Sequence, residues 1–234
     1  MAERELWMRL LRDATKDRVS TPRRIALLCV RTLEVSGAGI SLISNTGNRS
    51  AVCATDDVSA RIEELQVTLG EGPCVDATAS RGPVLVHDLT DRRDLAADRW
   101  PTFLAAAREA GVRAVFAFPL QIGAIGIGAL DLYRKSPGGL NDDQLADALM
   151  AAEVASIALL ELETDTEVGL VDANAGAYQA QVHQATGMVS VQLDVGIEQA
   201  FLLLRARAFS TNRHLGDLCV DIVERRLRFT REDL

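Results

Sequence analysis

The 234-residue chain has no apolar run approaching the roughly 18 uncharged residues that a membrane-spanning helix needs. Its N-terminus also lacks the uninterrupted apolar centre of a secretory leader. Residues Met1 to Lys16 interleave Arg4, Arg9 and Arg12 with Glu3, Glu5 and Asp13, the pattern of an amphipathic helix. A cytoplasmic location with no membrane contact is the expectation. Cysteine is scarce: the four present, Cys29, Cys53, Cys74 and Cys219, include no pair at C-x-x-C spacing and none in a metal-ligand pattern with histidine. Reduced, mostly buried thiols are expected, without a metal or a disulfide framework. Catalytic signatures are missing as well. No nucleophile–base pair, paired carboxylates or phosphate-binding glycine loop is recognisable, and Gly123–Gly128 (GAIGIG) lies between two apolar segments, so it reads as a hairpin. Neither an enzyme nor a cofactor is expected.

Positive charge is in short supply too. The net charge is -8, from 25 Lys and Arg against 33 Asp and Glu, which argues against a generic nucleic-acid coat. The acid excess is confined to residues 1–175. The last 59 residues balance 7 arginines against 7 acids and carry His183 and His214 besides. A nucleic-acid contact there has to rest on shape and a few placed side chains. What the chain has in quantity is apolar material, 48% of its residues, ample for packed cores.

The periodicities give an α+β first part. A helical pattern covers residues 1–35, with Thr21-Pro22 as an internal cap and first-turn proline. A strand over Gly39–Ser44, a turn at Asn45–Asn48 and a return strand over Ser50–Thr55 form a hairpin. Asp56-Asp57 caps a helix over Ser59–Val67, with Ile62 and Leu65 inward. Gly70 to Cys74 is a tight turn into a short helix. Pro83–His87 is a strand, Thr102–Ala110 a helix, and Val115–Ile122 and Gly126–Tyr133 are strands. Asn141-Asp142 caps a long helix over Leu145–Leu162. The runs LGEGPCVDA (69–77), AGVRAVFAFPL (110–120) and IGALDLY (127–133), with the strand at 83–88, resemble the GAF domains of actinobacterial transcriptional regulators over about residues 20–163. That resemblance implies an antiparallel sheet with flanking helices and a cavity on one face. A small molecule there would meet Trp100, Phe103, Arg113 or Phe116; the same residues also suit the core of an empty pocket.

Residues 164–177 read as a helical connector, since Leu159, Leu162, Val168, Val171 and Tyr178 keep roughly coiled-coil spacing. This implies a homodimer, although Gly169 and Gly176 weaken the helix and a flexible tether fits as well. Residues 178–234 read as an all-α module of three helices, striped by Tyr178, Val182, Ala185, Val189 and Leu193, then Ile197, Ala200, Phe201, Leu204 and Ala208, then Leu215, Leu218, Cys219, Ile222 and Val223. Its spacing of QATGMV (184–189), EQAF (198–201), Leu204-Arg205, Ala208 and NRHL (212–215) resembles the ANTAR family of RNA-binding antiterminators. Thr186 stands where many members have lysine. The resemblance implies recognition of paired RNA hairpin loops in a messenger leader, hence control of transcription termination or of translation. Small Ala185 and Gly187 would admit RNA closely. Gln181, Gln184, Thr186 and Ser190 would reach base edges, and Arg205, Arg213 and His214 would bind phosphate or stack. Ala185 and Gly187 also suit a close helix crossing, Arg205 could instead cap Asp217 or Asp221, and the arginines of 225–231 could form a solvated tail. DNA is disfavoured by Asp217, Asp221 and Glu224 on the third helix. The competing reading is a module that binds a protein partner instead of RNA.

Overall fold

The structure, a computed structural model, describes residues 21–43, 49–91, 99–164, 173–211 and 213–230. The helix expected over 1–20, the turn at Asn45–Asn48 and connector positions Val168 and Val171 lie outside the described residues. Two compact units are present, Met1–Asp172 and Ala173–Leu234.

In the first unit, helix α1 (Thr21–Thr32) starts at the expected Thr-Pro pair and buries Ile25, Ala26, Leu28 and Cys29. Strands β1 (Gly37–Ile43) and β2 (Arg49–Ala54) pair antiparallel. Helix α2 (Asp57–Leu69) is capped as expected by Asp56, whose Oδ1 accepts from Ser59 N–H at 2.7 Å, while Ser59 Oγ accepts from Asp56 N–H at 3.0 Å. Helix α3 (Pro73–Ser80), strand β3 (Val84–Val86) and helix α4 (Pro101–Glu109) follow. Strands β4 (Ala114–Ile122) and β5 (Ile125–Arg134) form the long hairpin. Gly123 takes positive φ (58°) in its two-residue loop, so the GAIGIG run does join two strands. Helix α5 (Asp142–Thr164) begins on a reciprocal cap: Gln144 N–H donates to Asn141 Oδ1 at 2.8 Å and Asn141 N–H to Gln144 Oε1 at 3.1 Å.

The sheet order is β2-β1-β5-β4-β3, with every neighbouring pair antiparallel. Side chains alternate across it. Phe116, Phe118, Leu120, Leu130 and Leu132 join α1 and the alanine-rich face of α5 in one core. Val115, Ala117, Ala129 and Tyr133 join α2, α3 and α4 in the other. Leu159, the first residue of the expected connector stripe, is buried in the α5-side core of this unit. All four cysteines of the chain are buried and none is in a disulfide. Among the described residues no single helix is long and apolar enough to cross a membrane.

The second unit holds α6 (Ala173–Leu193), α7 (Ile197–Ser210) and α8 (Leu215–Val223). Asp194 in the left-handed region (φ 57°) ends α6, and α7 leaves at 105° to it. Ala185, Val189, Leu193, Ala200, Leu204, Ala208, Leu215, Leu218, Cys219 and Ile222 are buried, which matches most of the expected stripes, but Ile197 is exposed. Helix α8 does not continue to Leu227. Arg225 turns left-handed (φ 61°), and the N–H groups of Arg226 and Leu227 both donate back to Asp221 O at 2.7 and 3.0 Å. The chain then folds over the bundle: Phe229 is buried, its N–H donates to Gln192 Oε1 at 2.9 Å, and the Arg207 guanidinium lies over its ring. The segment carrying Arg225, Arg226 and Arg228 is therefore anchored by an aromatic residue and is not wholly a solvated tail, while Arg231 lies outside the described residues.

Candidate functional site

The LGEGPC run organises the α2–α4 face of the sheet. Gly70 closes α2 in the left-handed region (φ 66°), and its N–H donates to Gln66 O at 3.0 Å. Glu71 reaches 31 residues along the chain: its Oε1 accepts from Thr102 N–H and Phe103 N–H, both at 2.7 Å, and so caps α4, which has no capping side chain of its own. Gly72 must be glycine, since its φ is 134° and a Cβ there would fall 2.8 Å from Gln66 Cγ. Pro73 starts α3, and Cys74 N–H donates to Gln66 Oε1 at 2.7 Å. The turn that marks this domain in sequence is thus a junction locking three helices to one another.

Beneath that junction lies a polar nest between α2 and the sheet. Glu63 is fully buried, Gln66 likewise, and Ser41 and Asp131 nearly so. Gln66 Nε2 donates to Asp131 Oδ2 at 3.3 Å. Both Glu63 oxygens, Asp131 Oδ1 and Ser41 Oγ have no hydrogen-bond partner among the described residues. Burial and the neighbouring Asp131 push the Glu63 carboxyl well above its ordinary range. Burial raises Asp131 as well, to about 6, against the lowering influence of Glu63, Arg49 and Gln66. Burial, followed by these two acids, raises the Cys74 thiol, so it is not a poised nucleophile. Arg49, on β2, donates to Cys74 O at 3.3 Å and also bonds Thr78 Oγ1. On the rim, Tyr133 Oη donates to Asp56 Oδ2 at 2.6 Å. A cavity of about 10 Å³ borders Gly39, Ser59, Glu63, Asp131 and Tyr133, the room of a single water.

The paired carboxylates were not recognised from sequence, yet two signals were present. Ser59, Ile62, Glu63 and Gln66 fall at i, i+3, i+4 and i+7, so three polar residues share the inward stripe of α2 with Ile62. Asp131 interrupts an otherwise apolar strand.

The residues named from sequence for the ligand cavity do not come together. Trp100 and Phe103 pack edge to face in the α2–α4 core, ring centroids 6.1 Å apart, with Trp100 Nε1 donating to Asp76 Oδ2 at 3.1 Å. Phe116 points to the opposite face, because strand alternation puts it with Phe118 and Leu120 against α1 and α5. Arg113 lies at the edge, where its Nη2 donates to both oxygens of Asp88 at 3.1 Å. Phe116 and Arg113 therefore do not line the space beside Trp100 and Phe103.

In the second unit the residues named for RNA separate into two groups. Ala185 is 0% exposed and Thr186 4%, with Thr186 Oγ1 donating to Val182 O at 2.7 Å, so both belong to the bundle interior. Ser190 Oγ donates to Val195 O at 2.6 Å and closes the end of α6. Gln184, Arg213 and His214 are exposed, and Gln181 and Gly187 half-exposed. A Cβ on Gly187 would meet nothing within 4 Å, so this glycine is not a close helix crossing. The Arg205 guanidinium lies over Phe201, 5.9 Å from the ring centre. Asp221 is held by Arg213 at 2.5 Å and Arg226 at 2.7 Å, which keep its carboxyl below the ordinary range. Arg226 also pairs with Glu224, so two of the three acids invoked against DNA are charge-compensated.

Among the described residues no group of three or more His, Cys, Asp or Glu could hold a metal ion. A five-stranded antiparallel sheet with helices on both faces and a polar nest under one of them defines an α+β domain. The family model described as GAF domain matches residues 20–160, and the chain belongs to the GAF domain family. GAF domains are modules of signalling and sensory proteins. The GAF domain from a phosphoenolpyruvate-protein phosphotransferase of Coxiella burnetii is 10% identical, with a TM-score of 0.51 over 69% of this chain and 96% of that one. The corresponding GAF domain from Acinetobacter is 12% identical, with a TM-score of 0.49 over 69% and 94%. A GAF domain/HD domain protein from Geobacter sulfurreducens is 11% identical, with a TM-score of 0.47 over 61% and 92%. At these identities the first likeness bears on the fold alone. Comparison with curated proteins returned no match.

Proposed function

We propose that this chain is a regulator in which the GAF domain receives a signal and the C-terminal module, of the ANTAR type, binds paired RNA hairpin loops in a messenger leader. By holding that element folded it acts as a transcription antiterminator, or it controls translation where the element overlaps a ribosome-binding site. The observation that carries this reading is the turn between α7 and α8, which presents Phe209, Arg213 and His214 to solvent, with Phe209 57% exposed. The exposed ring of Phe209, in the last turn of α7, suits an unstacked loop base, and His214 and Arg213, the latter shared with Asp221, follow it in the chain as groups for a phosphate. The module is neutral overall, so recognition by a few side chains fits better than a general attraction to phosphate.

The test is a titration of the full chain against an RNA carrying two short hairpins, beside the same RNA with scrambled loops and a DNA copy. Binding to the intact RNA alone, lost in Gly187→Arg and weakened in Arg213→Ala, supports the reading. Equal, salt-labile binding to all three, or none, overturns it. A second reading, a module for a protein partner, is favoured by Val191, 84% exposed, and by Ile197 and Leu202, which are apolar and open to solvent.

A further inference from the structure

Asp221, on α8, is the meeting point of two arginines that the chain brings in from different turns. Arg213 Nη2 donates to its Oδ2 at 2.5 Å and Arg226 Nε to its Oδ1 at 2.7 Å, so each carboxylate oxygen takes one guanidinium. Both arginines stand on pinned backbone. Arg213, just before α8, donates its N–H to Ala208 O at 2.9 Å. Arg226, just after α8, follows the left-handed Arg225 and donates its N–H to Asp221 O at 2.7 Å. Two forked cations closing on one small oxyanion is the arrangement with which proteins hold phosphate. All three side chains are partly open to solvent, Arg226 the most, and Arg226 also meets the exposed Glu224. Ion pairs as open as these contribute little to stability, so exchanging the partner anion costs little.

We propose that Arg213 and Arg226 form a site for one phosphate of the RNA backbone, and that in the free chain the Asp221 carboxylate occupies this site as an internal competitor. The charges suit the exchange. A phosphodiester and a carboxylate each carry one negative charge, so one replaces the other with the local balance unchanged, in a module whose 7 arginines face 7 acids. Asp221 then acts as a filter. A phosphate that makes no other contact has to displace it unaided, whereas a hairpin also held through its loop offsets the cost with those contacts. A staple that only joined the two turns would behave otherwise: its removal would loosen them and give no gain in binding. That the ligand is RNA rests on the function proposed above; the site itself is open to test with inorganic phosphate.

The test uses the full chain as Asp221→Asn, with Asp217→Asn as the control, since Asp217 is an exposed acid of equal charge on the same helix. Asp221→Asn is expected to bind the two-hairpin RNA about 3- to 10-fold more tightly than Asp217→Asn, the release of two exposed ion pairs. With Arg213 and Arg226 both changed to alanine, the same substitution is expected to gain nothing over the control. A gain no larger than the control's, or one that survives without the arginines, overturns the proposal and leaves the RNA reading standing. A second arm titrates inorganic phosphate at constant ionic strength and follows the arginine Nε–H resonances by NMR. The Arg226 resonance is expected to shift and saturate in Asp221→Asn at roughly tenfold less phosphate than in the wild type. Should RNA bind no form of the chain, the RNA reading fails and this arm alone decides: no saturable shift in Asp221→Asn overturns the site. Should Asp221→Asn fail to fold, the wild-type titration decides. A saturable Arg226 shift that Arg213→Ala abolishes supports the site, and no shift overturns it.

Discussion

The side chain of Glu63 stands where a β-carbon on Gly39 would have to be: that atom would lie 2.8 Å from Glu63 Cγ and closer still to Oε1. Strand β1 and helix α2 are therefore fitted to each other through one missing methyl group. Gly39→Ala is expected to destabilise the GAF unit by about 2 kcal/mol, the usual cost of forcing an extra carbon into a packed interior. Gly39→Ala combined with Glu63→Ala should recover part of that loss. Denaturant unfolding of the two single variants and the double variant measures the coupling, and strict additivity would contradict the contact.

Acid and base pull the stability of this unit in opposite directions. Asp88 is held down to about 2 by the Thr90 N–H and the Arg113 guanidinium, against an ordinary 3.8. Its folded pKa is depressed, so its contribution is present above 3.8 and is lost as pH falls towards 2. Glu63 and Asp131 are raised, Asp131 from 3.8 to about 6. Between those values the folded chain holds protons that the unfolded chain has released, so stability declines as pH climbs through that window. The melting temperature should peak near the lower end of that window and fall beyond it. The fall should be shallower in Glu63→Gln. A profile still rising past pH 6 would contradict the assignment.

Tyr133→Phe removes the hydroxyl that donates to Asp56 Oδ2 at 2.6 Å and leaves the cap of α2 with one partner fewer. Since the acceptor is charged, a loss of about 1.5–2 kcal/mol in chemical denaturation is expected. A neutral result would mean that water replaces the phenol without cost.

Much of this architecture could be anticipated residue by residue, and the failures have identifiable causes. Asp56, Asn141 and the Thr21-Pro22 pair announce helix starts because capping is local chemistry. The α5 stripe was visible because small and apolar residues recur along it. Phe116 was misplaced because alternation gives the parity of a strand and not which face holds the ligand side. Glu63 was missed because an acid on a helix is by default a solvated residue, and only its sharing a stripe with Ile62 says otherwise. Phe229 was missed because an isolated aromatic beyond a helix end carries no periodicity.

Phe229→Ala tests that last contact. It empties a buried site between Gln192 and Arg207 and should cost the second unit about 3 kcal/mol. The readout is increased proteolysis of the C-terminal segment, with the unfolding of the GAF unit unchanged.

Gly187→Arg is expected to leave the bundle as stable as before or slightly more so, because its β-carbon meets open space and glycine is a poor helix former by about 1 kcal/mol. A circular dichroism melt checks this. If the melt is preserved, any RNA affinity the variant loses is a surface effect; a collapsed melt would remove Gly187 from the exposed face.

Strand β5 has a consequence for how a signal could travel. Asp131 faces the nest, while its neighbours Leu130 and Leu132 face the opposite way, into the core shared with α1 and α5. The two sides of the sheet are thus separated by the thickness of one backbone. The Asp131 carboxyl and the side chains of Leu130 and Leu132 hang from the same peptide units, so whatever alters the nest is separated from the packing of α5 by a single strand and by no intervening layer.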